Sequence, residues 1–235
     1  MTETAVCPAK TRPVGGGFLG GGFLGNAIVF ESRMVRGKAW RVSEQYRAAQ
    51  NTALVAYAHC RKQAPKTLAV SRTSASATAG AGPTATASCS GKRKAVAGGL
   101  MASPPIQPSL EVGSVVTDSA RSGAGRWRTR VLSGDAGASV TGFAYCAKQK
   151  KAPTALKDLG PTVTGDLTST GVFSPRCKCG KTVVMGGFSQ QGATALGLAY
   201  PAYTVSKRSG RQRWNVRATD IGGGALAVSS TAYCG

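Results

Sequence analysis

Polar and apolar residues alternate along this chain in short runs that break at glycine. Lys92-Arg-Lys-Ala-Val-Ala-Gly-Gly-Leu100 alternates up to a glycine pair, Arg126-Trp-Arg-Thr-Arg-Val-Leu132 alternates basic with larger residues, and Ser139-Val-Thr-Gly-Phe-Ala-Tyr-Cys146 closes a third run. A period of two marks strands with one buried face. A glycine pair at the end of such a run marks a bulge or bend where a side chain would collide. Leu110 to Thr117 and Ala199 to Val205 read as further strands. One segment, Ser43 to Cys60, favours a helix by propensity alone.

The tryptophans overrule that helix. They stand at Trp40, Trp127 and Trp214, at intervals of 87 residues, and Cys60, Cys146 and Cys234 follow them at distances of 20, 19 and 20. Upstream, Cys7, Cys89 and Cys177 open matching segments in which Val14, Val96 and Val184 align, as do Gly16-Gly17, Gly98-Gly99 and Gly186-Gly187. Ser32, Ser119 and Ser206 each precede their tryptophan by eight residues. A fixed period of this kind signals repeated structural units. The counterparts of Ser43 to Cys60, Leu132 to Cys146 and Ala218 to Cys234, are too rich in Gly and Ser for a helix, so the segment reads as a closing strand.

The chain divides into a first repeat at 1–60, a second at 89–146 and a third at 177–235, with 61–88 and 147–176 between them as linkers or ordered clasps. Leu68 to Ser74 alternates and Thr162 to Leu167 is rich in strand formers, which is the case for clasps. Four strands per repeat give an all-β fold of three four-stranded units. Closure or radial arrangement would protect the sheet edges. The strand count resembles β-prism proteins, among them vitelline membrane outer layer protein and jacalin-like lectins, which implies one compact pseudo-threefold domain. The Cys, Gly-Gly, Trp, Tyr-Cys pattern is similar to repeats of secreted bacterial surface proteins. Trp40, Trp127 and Trp214 are the expected core.

Seven cysteines then fall into order. Three copies of one unit should repeat one local bridge, so Cys7 pairs with Cys60, Cys89 with Cys146 and Cys177 with Cys234. Cys179 is the spare thiol, or replaces Cys177 as partner. The spacing offers no metal site. Disulfides imply an oxidising setting, extracellular or on a virion surface, yet residues 1 to 25 lack the pattern of a secretory signal. The longest apolar stretch, Ala53 to Ala58, is too short for a membrane span.

Charge bears on function more than any motif. There are 30 Lys and Arg against 9 Asp and Glu, a formal net charge of +21, which favours polyanionic partners. The densest positions are Lys92, Arg93 and Lys94, then Arg126, Arg128 and Arg130, then Lys148, Lys150 and Lys151, then Lys207, Arg208, Arg211 and Arg213. Alternation places Arg126, Arg128 and Arg130 on one face of a strand and Trp127 on the other. The duplicated Gly-Gly-Gly-Phe-Leu-Gly reads as a loop tip that exposes Phe18 and Phe23 for docking.

Catalysis is poorly provided for: His59 is the only histidine and shares its register with Tyr145 and Tyr233. The acids do not recur as a pair in the way a glycosidase needs, and no cofactor is implied. The expectation is a non-enzymatic structural or attachment protein of an extracellular assembly, such as a virion or phage decoration protein, with an acidic protein lattice or acidic surface polymer as partner. It would act as an assembly subunit or homo-oligomer. A secreted lectin-like protein that binds cell wall or acidic glycans is the alternative. Nucleic-acid binding is a second, weakened because the tryptophans that would stack on bases belong to the core.

Overall fold

The structure is a computed structural model that describes residues 1–20, 27–46, 53–62, 68–76, 82–103, 114–133, 137–164, 167–190 and 201–235. All regular structure among them is β. The first repeat gives β1 (Thr2–Val6), β2 (Arg12–Leu19), β3 (Ala27–Val35), β4 (Ala39–Tyr46) and β5 (Val55–Arg61). Then come β6 (Ala69–Ser76), β7 (Thr84–Ser88), β8 (Lys94–Ala102), β9 (Ser114–Gly123), β10 (Arg126–Ser133), β11 (Ser139–Ala147), β12 (Thr154–Leu159) and β13 (Val163–Thr164). The third repeat gives β14 (Val183–Gln190), β15 (Pro201–Ser209), β16 (Arg213–Asp220), β17 (Ala225–Leu226) and β18 (Val228–Cys234).

Neighbouring repeats share sheets. One sheet runs β1-β4-β3-β8-β11-β6, a second β7-β10-β9-β14-β18-β12, a third β16-β15-β2-β5, and β13 pairs with β17. In each large sheet the tryptophan hairpin of one repeat lies beside the opening and closing strands of the next, and the third sheet returns from the third repeat to the first. All pairings are antiparallel. The segments between repeats contribute ordered strands: β6 lines the outer edge of β11, and β12 that of β18.

The glycine pairs explain why the repeats fit together. A Cβ on Gly16, Gly98 or Gly186 would overlap the indole of Trp40, Trp127 or Trp214 of the same repeat. A Cβ on Gly17, Gly99 or Gly187 would press on the carbonyl of Ser206, Ser32 or Ser119, each in another repeat. Those serines also hold the indoles: Nε1–H of Trp40, Trp127 and Trp214 donates to Ser32, Ser119 and Ser206 Oγ at 2.9, 3.1 and 3.2 Å. Gly16-Gly17, Gly98-Gly99, Gly186 and all three serines line one narrow space of about 10 Å³. The aligned valines have their place too, because the pairing skips Val14, Val96 and Val184, which form a bulge below each glycine pair.

A second recurring contact crosses between repeats. Tyr145 meets Trp40 edge-on at 5.8 Å between centroids, Tyr233 meets Trp127 at 5.4 Å, and His59 meets Trp214 at 5.5 Å. The hydroxyls of Tyr145 and Tyr233 accept from the backbone N–H of Met34 and Arg121, both at 2.7 Å.

The phenylalanine expectation needs correction. Phe18 is 1 % exposed. Its glycines belong to β2, where they admit Trp40 and the neighbouring backbone, so Phe18 turns inward and meets Phe188 edge-on at 6.5 Å. It is core and exposes no docking surface. Phe23 lies outside the described residues.

Gly98→Ala should lower unfolding free energy by about 1 to 3 kcal/mol through overpacking against Trp127, read from the denaturant midpoint at constant slope. His59 gives a pH signature. Burial, then the nearby charge of Arg208, lowers its pKa to about 4. The folded state therefore keeps the imidazole neutral while the unfolded chain protonates below about pH 6.5. Stability is full above that pH and falls by up to about 3 kcal/mol on the way down to pH 4. His59→Phe should abolish this slope in acid denaturation between those pH values.

Candidate basic interface

The disulfides and hairpin turns occupy one end of the sheets. Cys7, Cys89 and Cys177 each donate a backbone N–H into the turn between the two tryptophan-hairpin strands, to Lys38, Gly125 and Gln212 carbonyls at 3.0, 2.8 and 2.8 Å. Each is bonded to the cysteine that ends the closing strand: Cys7 to Cys60, Cys89 to Cys146, Cys177 to Cys234. Each bridge closes more than 50 residues and contributes about 4 kcal/mol in the chain-entropy view. Cys179 is a free, exposed thiol. The three bridges fit an oxidising environment.

Tight turns at this end carry the cations. After the first cysteine of each repeat the chain turns through a left-handed residue: Lys10 (φ 63°), Gly91 (φ 59°) and Gly180 (φ 79°). In the second repeat this turn lies beside the segment that leaves β11. Lys92, Arg93 and Lys94 thus share with Lys148 and Lys150 a cleft of about 760 Å³, floored by Ser90 and Gly91. Two clusters more than 50 residues apart in sequence become one. Lys151 follows directly and is exposed.

The third repeat builds a similar cleft of about 540 Å³ from other residues. Arg211 of the β15–β16 turn and Arg213 at the start of β16 line it with Arg176, Lys181, Thr182 and Gln212. The Arg176 guanidinium donates to Gln212 Oε1 at 3.2 and 3.3 Å, and Arg213 donates to Ser174 Oγ at 3.2 Å. Arg61 of the first repeat donates to Thr182 Oγ1 at 3.4 Å, which brings a further charge to the border. Arg176 and Lys181 escaped the sequence reading because no run of basic residues contains them. The repeat register could have found Lys181, which stands four residues after Cys177 as Arg93 stands after Cys89.

Other expected cations are placed differently. Arg128 does not present a free charge, because it pairs with Asp118 Oδ2 at 2.9 Å. Burial pushes the Asp118 carboxyl up, against a hydrogen bond from Ser189 and the charges of Arg128 and Arg130. Arg126 and Arg130 are exposed on β10 while Trp127 is buried between them, the alternation expected of that strand. Lys207 donates to Tyr57 Oη at 3.2 Å and lies 4.7 Å from that ring's centroid. Arg208 has its pKa lowered by burial and then by the charge of Arg61.

Glu31 pairs with Arg33 and Arg41 inside the first sheet. Burial pushes its pKa up, but hydrogen bonds from Arg41 and Ser43 and the charges of Arg33 and Arg41 outweigh that and hold it low. No Asp or Glu lines either cleft among the described residues. Among the described residues no cluster of three or more His, Cys, Asp or Glu could hold a metal ion, and no helix is long and apolar enough to cross a membrane. Comparison with protein-family models and with curated proteins finds no match to this chain.

Iodoacetamide added to the native, unreduced protein should alkylate one thiol per chain, and peptide mapping should place it on Cys179.

Proposed function

We propose that this chain is a non-enzymatic attachment protein of an extracellular assembly, such as a virion surface, and that it grips an acidic lattice or acidic surface polymer through the end that carries the disulfides. The observation that carries this reading is the pair of clefts lined by Lys92, Arg93, Lys94, Lys148 and Lys150 and by Arg176, Lys181, Arg211 and Arg213, with no Asp or Glu among the described residues of either. Exposed cations that lack local counter-charges draw an anionic partner from a distance and release its counterions on contact. Open clefts with several mobile cations suit a repeating anion better than one compact small molecule.

The cyclic sharing of strands supports a pseudo-threefold β-prism, in which the three sheets form the walls and the glycine pairs lie at the axis. In that arrangement the resemblance is to vitelline membrane outer layer protein and jacalin-like lectins. The disulfide-linked turns would gather at one end of the prism, giving a basic face that can sit flat on an acidic surface.

The test is retention on an immobilised sulfated polysaccharide and on polyphosphate as salt is raised. The double variant Lys92→Glu/Lys150→Glu should weaken binding at least tenfold and flatten the dependence of log affinity on log salt. Arg128→Gln, whose charge is already paired, should change it little. Absence of retention at low salt, or equal loss in both variants, would overturn the reading.

A further inference from the structure

Among the described residues, the third sheet has no strand where the other two have β6 and β12. In the first sheet the closing strand β11 is covered on its outer edge by β6, and in the second β18 is covered by β12. Their counterpart β5 pairs only with β2 among the described residues. Its side chains register the difference. Ala144 and Ala232 are fully buried and Cys146 and Cys234 are 2 % exposed, whereas the equivalent Ala58 and Cys60 are only half-buried and Val55 is 37 % exposed. An uncovered edge offers backbone N–H and C=O groups to any extended chain that reaches it.

The surroundings of β5 narrow the occupant. Arg61 ends the strand, Arg12 lies opposite it in register, Lys207 rests on Tyr57, and Arg208 stands near enough to Arg61 to feel its charge. A second copy would bring the same cations to the same edge, and the chain's net charge of +21 opposes that approach. We propose that the outer edge of β5 is a strand-addition site for an extended acidic segment of another protein, which completes the third sheet as β6 and β12 complete the first two. Main-chain hydrogen bonds would supply the pairing, and carboxylates on the incoming strand would meet Arg61 and its neighbours. This inference shares Arg61 with the border of the third repeat's cleft but not with the cleft of Lys92 and Lys150, and a protein altered at Lys92 and Lys150 should still accept the strand.

The experiment is hydrogen exchange of the β5 amides in the full chain, with a synthetic eight-residue peptide of alternating Glu and Val as probe. Exchange across Val55–Arg61 should slow at least tenfold on saturation. It should be unchanged by the same peptide methylated at every backbone nitrogen, or by a peptide of alternating Lys and Val. Arg61→Glu should weaken binding of the acidic peptide about tenfold, whereas Lys92→Glu/Lys150→Glu should leave the slowing in place. Unchanged exchange with the acidic peptide, or slowing that persists with the methylated one, would overturn the proposal. So would β5 amides that are already protected in the free protein and lose that protection on dilution, which would identify a second copy as the occupant.

Discussion

An indole lying directly on a glycine is the contact on which the rest of this structure depends. Trp40, Trp127 and Trp214 occupy the volume that a side chain at Gly16, Gly98 or Gly186 would need, and each is pinned by its one polar atom to a serine hydroxyl. A buried indole N–H without a partner would be costly, so the serine is as necessary as the glycine. The serine's carbonyl in turn meets the second glycine of another repeat. Three residue types thus fix where a tryptophan hairpin sits and how closely the next opening strand approaches it. Larger residues at the glycines would force the sheets apart and open the narrow core between them.

From that clamp follows the division of labour along each strand. Above the bulges at Val14, Val96 and Val184, side chains are committed to packing. Below them, the chain enters turns held by disulfides and by backbone hydrogen bonds from the cysteines. These turns carry little of the core, so their side chains vary between repeats: Lys10, the Lys92–Lys94 run, and Lys178 with Lys181 occupy comparable stretches. The scaffold is conservative where volume is tight and permissive where solvent is near. Surface charge can therefore be altered there without disturbing the sheets.

The same contrast explains what could be read from the sequence. Strands, core tryptophans and the local cysteine pairing were legible, because each leaves a spacing that recurs three times. The sharing of sheets between repeats was not, since a linear pattern of strands carries no record of which repeat supplies a strand's neighbour. Phe18 was misread because glycine next to an aromatic suggests a mobile tip, whereas here glycine makes room for Trp40. Arg128 looked like part of a basic face until Asp118, ten residues earlier on the adjacent strand, was seen to neutralise it. The cleft that joins Lys92–Lys94 to Lys148 and Lys150 depends on a turn and a strand exit meeting in space.

The edge-on contact of His59 with Trp214 joins the first repeat to the third. Partners for β3, β4, β8 and β11 emerge within the first two repeats, and those for β9, β10, β14 and β18 within the second and third. By contrast, β2 has β5 beside it within the first repeat but on its other edge must wait for β15, which lies more than 180 residues further along. Until then the face of β2 that later receives the third repeat stays open to water. Loop closure over such a span is slow compared with hairpin formation. Pairing β2 with β15 thus joins the oldest part of the chain to the newest, and until it forms the free edge of β2 is exposed to pairing with a neighbour instead of with itself.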